Sequence, residues 1–340
     1  MLLSSMSKIV SSCGTVKCDH QVWLSPLVAD LYSAYNHNVV VPDYGLKELE
    51  EMELLVCSKL GMVHDPKVIK SLDEVTFPVV NSDEKAIVLG FSVGLDSVFQ
   101  AIDLMERGYR VILYHLKNIN TYENGQATKQ CPVIAEKLGM EYVESVINKR
   151  RGEQEVPENP FKNELILALM IDYALENDIQ CVSLGDDLNL SLADAAVGIN
   201  VTDAHEVTES FFRGLANHVS IRFLPIMDHA EKLDRIKKLM EYGLENDYYS
   251  CVQSGRFNAS LHHKAQEKYH IELFDHNCGC YCRKCAMHNL LMHYGGVKTF
   301  PQDFVDACWK ILWKNSHSAD YVFFRPDLPL EERIRNLFTY

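Results

Sequence analysis

From residue 86 onward the chain alternates short, unbroken apolar runs with amphipathic stretches, and this alternation restricts the fold more than any other feature. "AIVLGF" opens the pattern at residue 86, and "SVFQAIDLMERGY" follows at helical spacing with Gly108 as a helix stop. "RVILYHL" reads as a second strand, and "QATKQCPVIAEKLGM" as a helix with Pro132 marking its first turn. "EYVESVI", "IQCVSLG" and "VSIRFLPI" continue the strands, separated by the helical "NELILALMIDYALEND" and "DAHEVTESFFRGLANH". Strands that are apolar on both faces and alternate with helices build a parallel sheet covered on both sides. The expected class is therefore α/β, Rossmann-like, with ligands bound outside the carboxyl ends of the strands.

The flanking regions differ. Residues 1–85 read as an irregular lead followed by "YGLKELEEMELLVCSKLGM", whose leucines sit near helical spacing. Past residue 228 the chain turns helical: "HAEKLDRIKKLMEYGL", "NASLHHKAQEKY", "RKCAMHNLLMHY" and "FVDACWKILWKN". The expected organisation is an extension over 1–85, an α/β domain over 86–228 and a helical lobe over 229–340. No run approaches the roughly 20 apolar residues needed to cross a bilayer, and the amino terminus lacks a basic flank before an apolar core. A cytoplasmic protein with no membrane partner is expected. Lys and Arg number 33 against 47 Asp and Glu, a formal charge of −14. That field disfavours a nucleic acid and favours a small-molecule substrate. The sequence does not fix the oligomeric state, and a homodimer is compatible with it.

The strand over 86–91 runs straight into Ser92-Val93-Gly94-Leu95-Asp96-Ser97. A turn and N-cap use the same residue types. An anion site at a strand-to-helix turn also uses them: inward backbone N–H groups, a glycine for close approach and small hydroxyl donors. Asp96 repels phosphate by itself and makes sense there as a partner of Mg²⁺. The Lys of a Walker-type P-loop is absent, as is the G-x-G-x-x-G dinucleotide pattern.

"FSVGLDS" resembles the S-G-G-x-D-S signature of the PP-loop, or N-type, ATP pyrophosphatases, with Val93 in place of the first glycine. A β-branched residue resists the positive φ open to glycine. Further segments resemble the 7-cyano-7-deazaguanine synthases of that superfamily, in order over residues 86–295. "NPFKN" is similar to their P-x-R-N, with Lys162 for Arg, a change that keeps charge but loses the bidentate fork. "CVSLGDD" is similar to a strand and loop bearing a glycine and an acid, here Gly185 and Asp186. "VTDAHEVTESFFRGL" is similar to a segment that places Asp203 on a motif aspartate, although its cysteine and proline are missing.

Of the 11 cysteines, Cys278, Cys280, Cys282 and Cys285 fall within eight residues. Short spacings of this kind suit tetrahedral Zn²⁺, and thiolates in a reducing compartment favour the metal over a disulfide. A thioredoxin-like redox pair is the rival, but its context is a different βαβ unit. The resemblance adds Cys251, from "YYSCVQS", as an upstream ligand to a C-G-x-C-x-x-C group. Cys280 is then surplus, or it replaces Cys278. A closed four-thiolate site is structural, and it would hold the helical lobe rather than perform chemistry.

The resemblance implies an adenine nucleotide alpha hydrolase-like fold and an ATP-dependent ligase in queuosine biosynthesis. That enzyme converts 7-carboxy-7-deazaguanine, with ammonia and ATP, to the 7-deazaguanine nitrile. On this reading Ser92, Gly94, Leu95 and Ser97 hold pyrophosphate, and Asp96 holds Mg²⁺. Asp96 and Lys162 are the catalytic pair. Lys162 and Asn163 orient phosphate or carboxylate, Gly185 contacts the nucleotide, and Asp186 and Asp203 contact substrate. The alternatives are another adenylylated acceptor (a peptide glutamate, a tRNA base or a protein terminus) or a catalytically weak nucleotide-binding scaffold. His262, His263, His288 and His293 read as surface or packing residues, and Trp309 and Trp313 as core.

Overall fold

The structure is a computed structural model that describes residues 6–11, 14–19, 21–23, 38–40, 42–43, 70–71, 80, 85–117, 125–146, 162–185, 221–224, 231–251, 255–314 and 324–339. The described residues form two compact units. One draws on 1–91, 101–123 and 138–227, and the other on 92–100, 124–137 and 228–340.

The first unit is built on a sheet whose parallel part is β7 (Ala86–Gly90), β8 (Arg110–Lys117), β9 (Glu141–Val146), β10 (Cys181–Leu184) and β11 (Arg222–Phe223). Spatially these run β11-β10-β7-β8-β9. Ile87, Val88 and Leu89 are fully buried, as are Leu113 and Tyr114 beside them, which is why these strands carry no polar alternation. Sequence order reverses at β7: the next strand, β8, lies on one side of it and β10 on the other. Gly90 pairs with Tyr114 and with Leu184. In doubly wound sheets such a switch point opens a crevice outside the carboxyl ends of the strands. Phe91 prolongs β7, with its N–H donating to Tyr114 O at 2.8 Å. Its carbonyl accepts from Nδ1 of buried His115 at 2.9 Å, which sets that imidazole as the Nδ1–H tautomer.

The lead, expected to be irregular, supplies β1 (Met6–Ser11) and β2 (Gly14–Asp19). They form an antiparallel pair on the β9 edge, with Val10 opposite Glu144. The β1–β2 hairpin is local, with Ser11 opposite Gly14, whereas its bridge to β9 joins segments more than 130 residues apart. Short parallel pairs join β3 (Gln21–Trp23) to β4 (Asn38–Val40) and β5 (Pro42–Asp43) to β6 (Lys70–Ser71). The expected helix over 44–62 lies outside the described residues, as does that over 203–218.

Eight helices are described: α1 (Leu95–Glu106), α2 (Gly125–Leu138), α3 (Lys162–Glu176), α4 (Lys232–Glu241), α5 (Gly255–Tyr269), α6 (Arg283–Tyr294), α7 (Gln302–Lys314) and α8 (Leu330–Thr339). Gly108, at φ +79°, ends α1 as expected. Pro132 lies well inside α2 rather than in its first turn, because the helix starts at Gly125. In the second unit α6 is buried on every side from Cys285 to Met292, which makes it the central helix of that lobe. Aromatic rings fill the space around α7, with Phe304 5.2 Å from Tyr269 and 5.0 Å from Phe300 between centroids. No described helix is long and apolar enough to cross a membrane.

Candidate functional site

The residues of the "SVGLDS" turn belong to the second unit, directly after the strand at which order reverses. Val93 sits at φ 55°, in the left-handed region, and its side chain is fully buried. The position that carries glycine in the resembling signature thus keeps a glycine-like backbone while holding a β-branched residue. Left-handed geometry costs such a residue on the order of 1–2 kcal/mol, so its surroundings must enforce it. One restraint is the Tyr249 N–H, which donates to Val93 O at 2.8 Å. Gly94 is not left-handed. A Cβ there would meet only Ser92 Oγ, at 3.3 Å.

Three hydroxyls gather the backbone N–H groups of the turn. Ser92 N–H donates to Ser97 Oγ at 3.3 Å, Gly94 N–H to Ser92 Oγ at 3.4 Å, and Leu95 N–H to Ser250 Oγ at 3.3 Å. The Ser92 and Ser97 hydroxyls lie 3.3 Å apart, and Ser97 Oγ–H donates to Gly94 O at 3.1 Å. All the bonds to N–H are long, at the weak end of hydrogen bonding. α1 begins at Leu95, so Asp96 and Ser97 occupy its first turn, where backbone N–H groups have no intrahelical acceptor. The turn thus gathers N–H and hydroxyl groups at the positive end of a helix.

Asp96 has a partner that its sequence context hides. Arg235 of α4, itself buried, reaches Asp96 Oδ1 at 2.6 Å, with its guanidinium 5.7 Å from the Phe99 ring. Desolvation pushes the Asp96 carboxyl up, but Lys232 and Arg235 outweigh it and hold the carboxyl below the usual range. Arg235 occupies one oxygen, and the side chain remains over a third exposed. Lys232 adds further positive charge near the turn.

Four thiols form a candidate metal site. The Sγ atoms of Cys251, Cys278, Cys282 and Cys285 all lie within 4.8 Å of one another, and all four residues are buried. Cys251 and Cys282 Sγ are 3.8 Å apart. A tetrahedral zinc site with bonds of about 2.3 Å has sulfur–sulfur edges of about 3.8 Å, so the donor set fits Zn²⁺. Hydrogen bonds from neighbouring thiols, together with burial, raise the Cys278 and Cys285 thiols, so the four cannot all ionise without a cation. Cys280 is excluded. Its thiol turns instead to the Tyr269 hydroxyl at 3.7 Å.

The backbone explains that choice. Gly279 stands at φ +73°, and a Cβ there would come within 2.6 Å of Ala265 Cβ. Asn277 and Asn289, both buried, clamp the knuckle: Gly279 N–H donates to Asn277 Oδ1 at 2.8 Å, and Asn289 Nδ2 donates to Gly279 O at 3.2 Å. Cys282 caps α6, its sulfur accepting from Cys285 N–H at 3.4 Å. His262 Nδ1–H donates to Asn277 O at 2.9 Å, and buried His288 lies 3.5 Å from the Tyr248 hydroxyl.

No family model matches the chain, and no curated protein does.

The other expected site residues lie elsewhere or outside the description. Lys162 and Asn163 open α3 in the first unit, with side chains outside the described residues, and Gly185 follows β10 in the same unit. Asp186 and Asp203 also lie outside the described residues. Sequence reasoning did not anticipate Arg235, Tyr249 or Ser250 at the turn. Arg235 carried a faint signal: it falls beside Leu233, Ile236 and Leu239, the apolar face of an otherwise charged helix.

Proposed function

We propose that the chain is an ATP-dependent ligase of the PP-loop type that adenylylates a carboxylate, and that its acceptor is 7-carboxy-7-deazaguanine or a close relative. The reading rests on one observation. A turn rich in N–H and hydroxyl groups, with a left-handed residue at its second position, follows the strand at which the sheet order reverses. That is where α/β sheets hold phosphates.

The chemistry asks for such a donor array. A carboxylate is a poor electrophile because its charge is shared over two oxygens. Attack of one oxygen on the α-phosphorus of ATP breaks the bond to the bridging oxygen, releases pyrophosphate and leaves an acyl adenylate. Ammonia then displaces AMP to give an amide, and a second adenylylation on the amide oxygen, followed by loss of AMP and protons, gives the nitrile. Charge builds on the departing pyrophosphate, where preorganised donors lower the barrier most. Ser92, Ser97 and the amides of Gly94 to Ser97 supply these donors. Mg²⁺, when bound, would neutralise part of the phosphate charge beside the exposed oxygen of Asp96. Lys162, Asn163, Gly185, Asp186 and Asp203 keep their assigned roles on the resemblance alone. Zn²⁺ at the four thiols leaves no open coordination position and is structural.

The test is release of AMP and pyrophosphate by zinc-loaded protein supplied with ATP, Mg²⁺, ammonia and 7-carboxy-7-deazaguanine. Acceptor-dependent release that falls at least about a hundredfold in Asp96→Asn supports the reading. Release only with a different carboxylate moves the acceptor while keeping the chemistry. No release with any acceptor, despite bound ATP, leaves a nucleotide-binding scaffold and removes the enzyme.

A further inference from the structure

The four residues Tyr248 to Cys251 touch both the turn and the metal centre, and every contact lies within the second unit. On one side, Tyr249 N–H holds the carbonyl of left-handed Val93, and Ser250 Oγ accepts from Leu95 N–H. On the other, Cys251 is the only one of the four clustered thiols outside the 278–285 segment. The intervening rings are locked against the same knuckle. Tyr249 packs 5.3 Å from the His276 ring, and Tyr248 lies 6.0 Å from the His288 ring on α6. Tyr249 to Cys251 therefore form a three-residue strut from a candidate metal ligand to a strained turn.

Consider what each end requires. Val93 does not adopt its backbone angle spontaneously, so the angle persists only while external contacts impose it. One of those contacts is the amide two residues before Cys251. Cys251 Sγ lies within 4.8 Å of the other three thiols, so a cation shared by the four would fix its position. The turn's geometry is thus downstream of metal occupancy through two peptide bonds.

We infer that Tyr249 and Ser250 are positioning residues that couple the turn after β7 to the four-thiol site, so that metal occupancy sets whether the turn holds its left-handed form. The coupling holds whether or not the turn binds ATP. By linkage it is reciprocal: loosening the turn weakens the metal, as losing the metal loosens the turn.

Amide hydrogen exchange on the full chain, without nucleotide, tests it. Zinc-loaded protein is compared with protein stripped by a chelator, with the β8 amides as a control in the first unit and the α7 amides as a control in the second. Removing zinc accelerates exchange at Leu95 and Tyr249 by about tenfold or more while β8 is unchanged. Stripping zinc could melt the whole lobe, and exchange at α7 would reveal that. The Ser250 variants decide the matter in that case. Ser250→Ala, kept zinc-loaded, accelerates Leu95 exchange about fivefold and weakens zinc measurably in competition with a chromophoric chelator. Ser250→Thr, which keeps the hydroxyl, restores both. A Ser250→Ala protein with unaltered Leu95 exchange and unaltered zinc affinity overturns the inference, as does a stripped protein whose turn exchanges at the zinc-loaded rate.

Discussion

Among the left-handed residues described in the second unit, Val93 and Gly279 make the sharpest comparison. They solve the same geometric problem with opposite residues. At Gly279 a side chain has nowhere to go, since its Cβ would meet Ala265 at 2.6 Å, and glycine is the only residue that fits both angle and space. At Val93 the side chain is wanted in the core, so the angle is imposed by hydrogen bonds and packing. The knuckle is shaped by its own composition, whereas the turn after β7 is shaped by its neighbours. A turn of the second kind responds to events elsewhere.

The strongest way to sharpen this contrast is to remove the knuckle's metal. Cys285→Ser is expected to lose bound zinc and to destabilise the lobe by about 4 kcal/mol or more. Cys280→Ser should keep about one zinc per chain, because its thiol faces Tyr269. Metal analysis with urea unfolding reads both. Equal loss in the two variants would contradict the assignment of ligands. Next in size is Gly279→Ala, expected to cost about 3 kcal/mol from its backbone angle and the clash with Ala265. A cost below about 1 kcal/mol would mean that the knuckle is looser than its packing implies.

A third effect is a pH dependence of the lobe that holds both turns. Burial depresses His288 to about 3. Its neutral form is the folded form, and the unfolded chain binds the extra proton between about pH 6.5 and 3, so this contribution to stability falls as pH drops through that window. Between pH 7 and pH 5 the loss is about 2 kcal/mol in the wild type. His288→Asn should remove that portion of the slope, leaving whatever acid release of metal contributes in both proteins. Parallel slopes would take His288 out of the account.

The smallest effect bears most directly on Val93. At an ordinary buried position glycine is less stable than alanine by roughly 0.5–1 kcal/mol. At a left-handed one the order inverts. Val93→Ala and Val93→Gly both lose buried surface, but Val93→Gly should be the more stable of the two by about 1 kcal/mol. The usual order would show that Val93 carries no strain.

What could be read from the sequence follows from how local each signal is. The strands β7, β8 and β10 announced themselves as largely apolar runs, since burial on both faces leaves its mark residue by residue. Three of the four clustered thiols stood close together in the chain. Cys251 did not: it lies 27 residues before Cys278, and spacing alone could not connect them. The resemblance left Cys280 either surplus or in place of Cys278, and the choice was hidden because the direction of Cys280 is set by folding: its thiol turns to Tyr269. The β1–β2 pair is a local hairpin, and it escaped notice because "MSKIVS" lacks the alternation of apolar and polar residues that marks a strand. Arg235 looked like any charged residue of an amphipathic helix until folding buried it against Asp96.

The central claim is that the turn after β7 holds nucleotide phosphates, and calorimetric titration of zinc-loaded protein with ATP and Mg²⁺ tests it most directly. Gly94→Asp makes the decisive comparison: a Cβ at that position meets only Ser92 Oγ, at 3.3 Å, the added carboxylate puts negative charge into the turn, and thermal unfolding of the variant checks that the fold is kept. The account predicts saturable one-to-one binding to the wild type, weakened on the order of a hundredfold or more in Gly94→Asp. No binding to the wild type, or equal affinity in the two proteins, would contradict it.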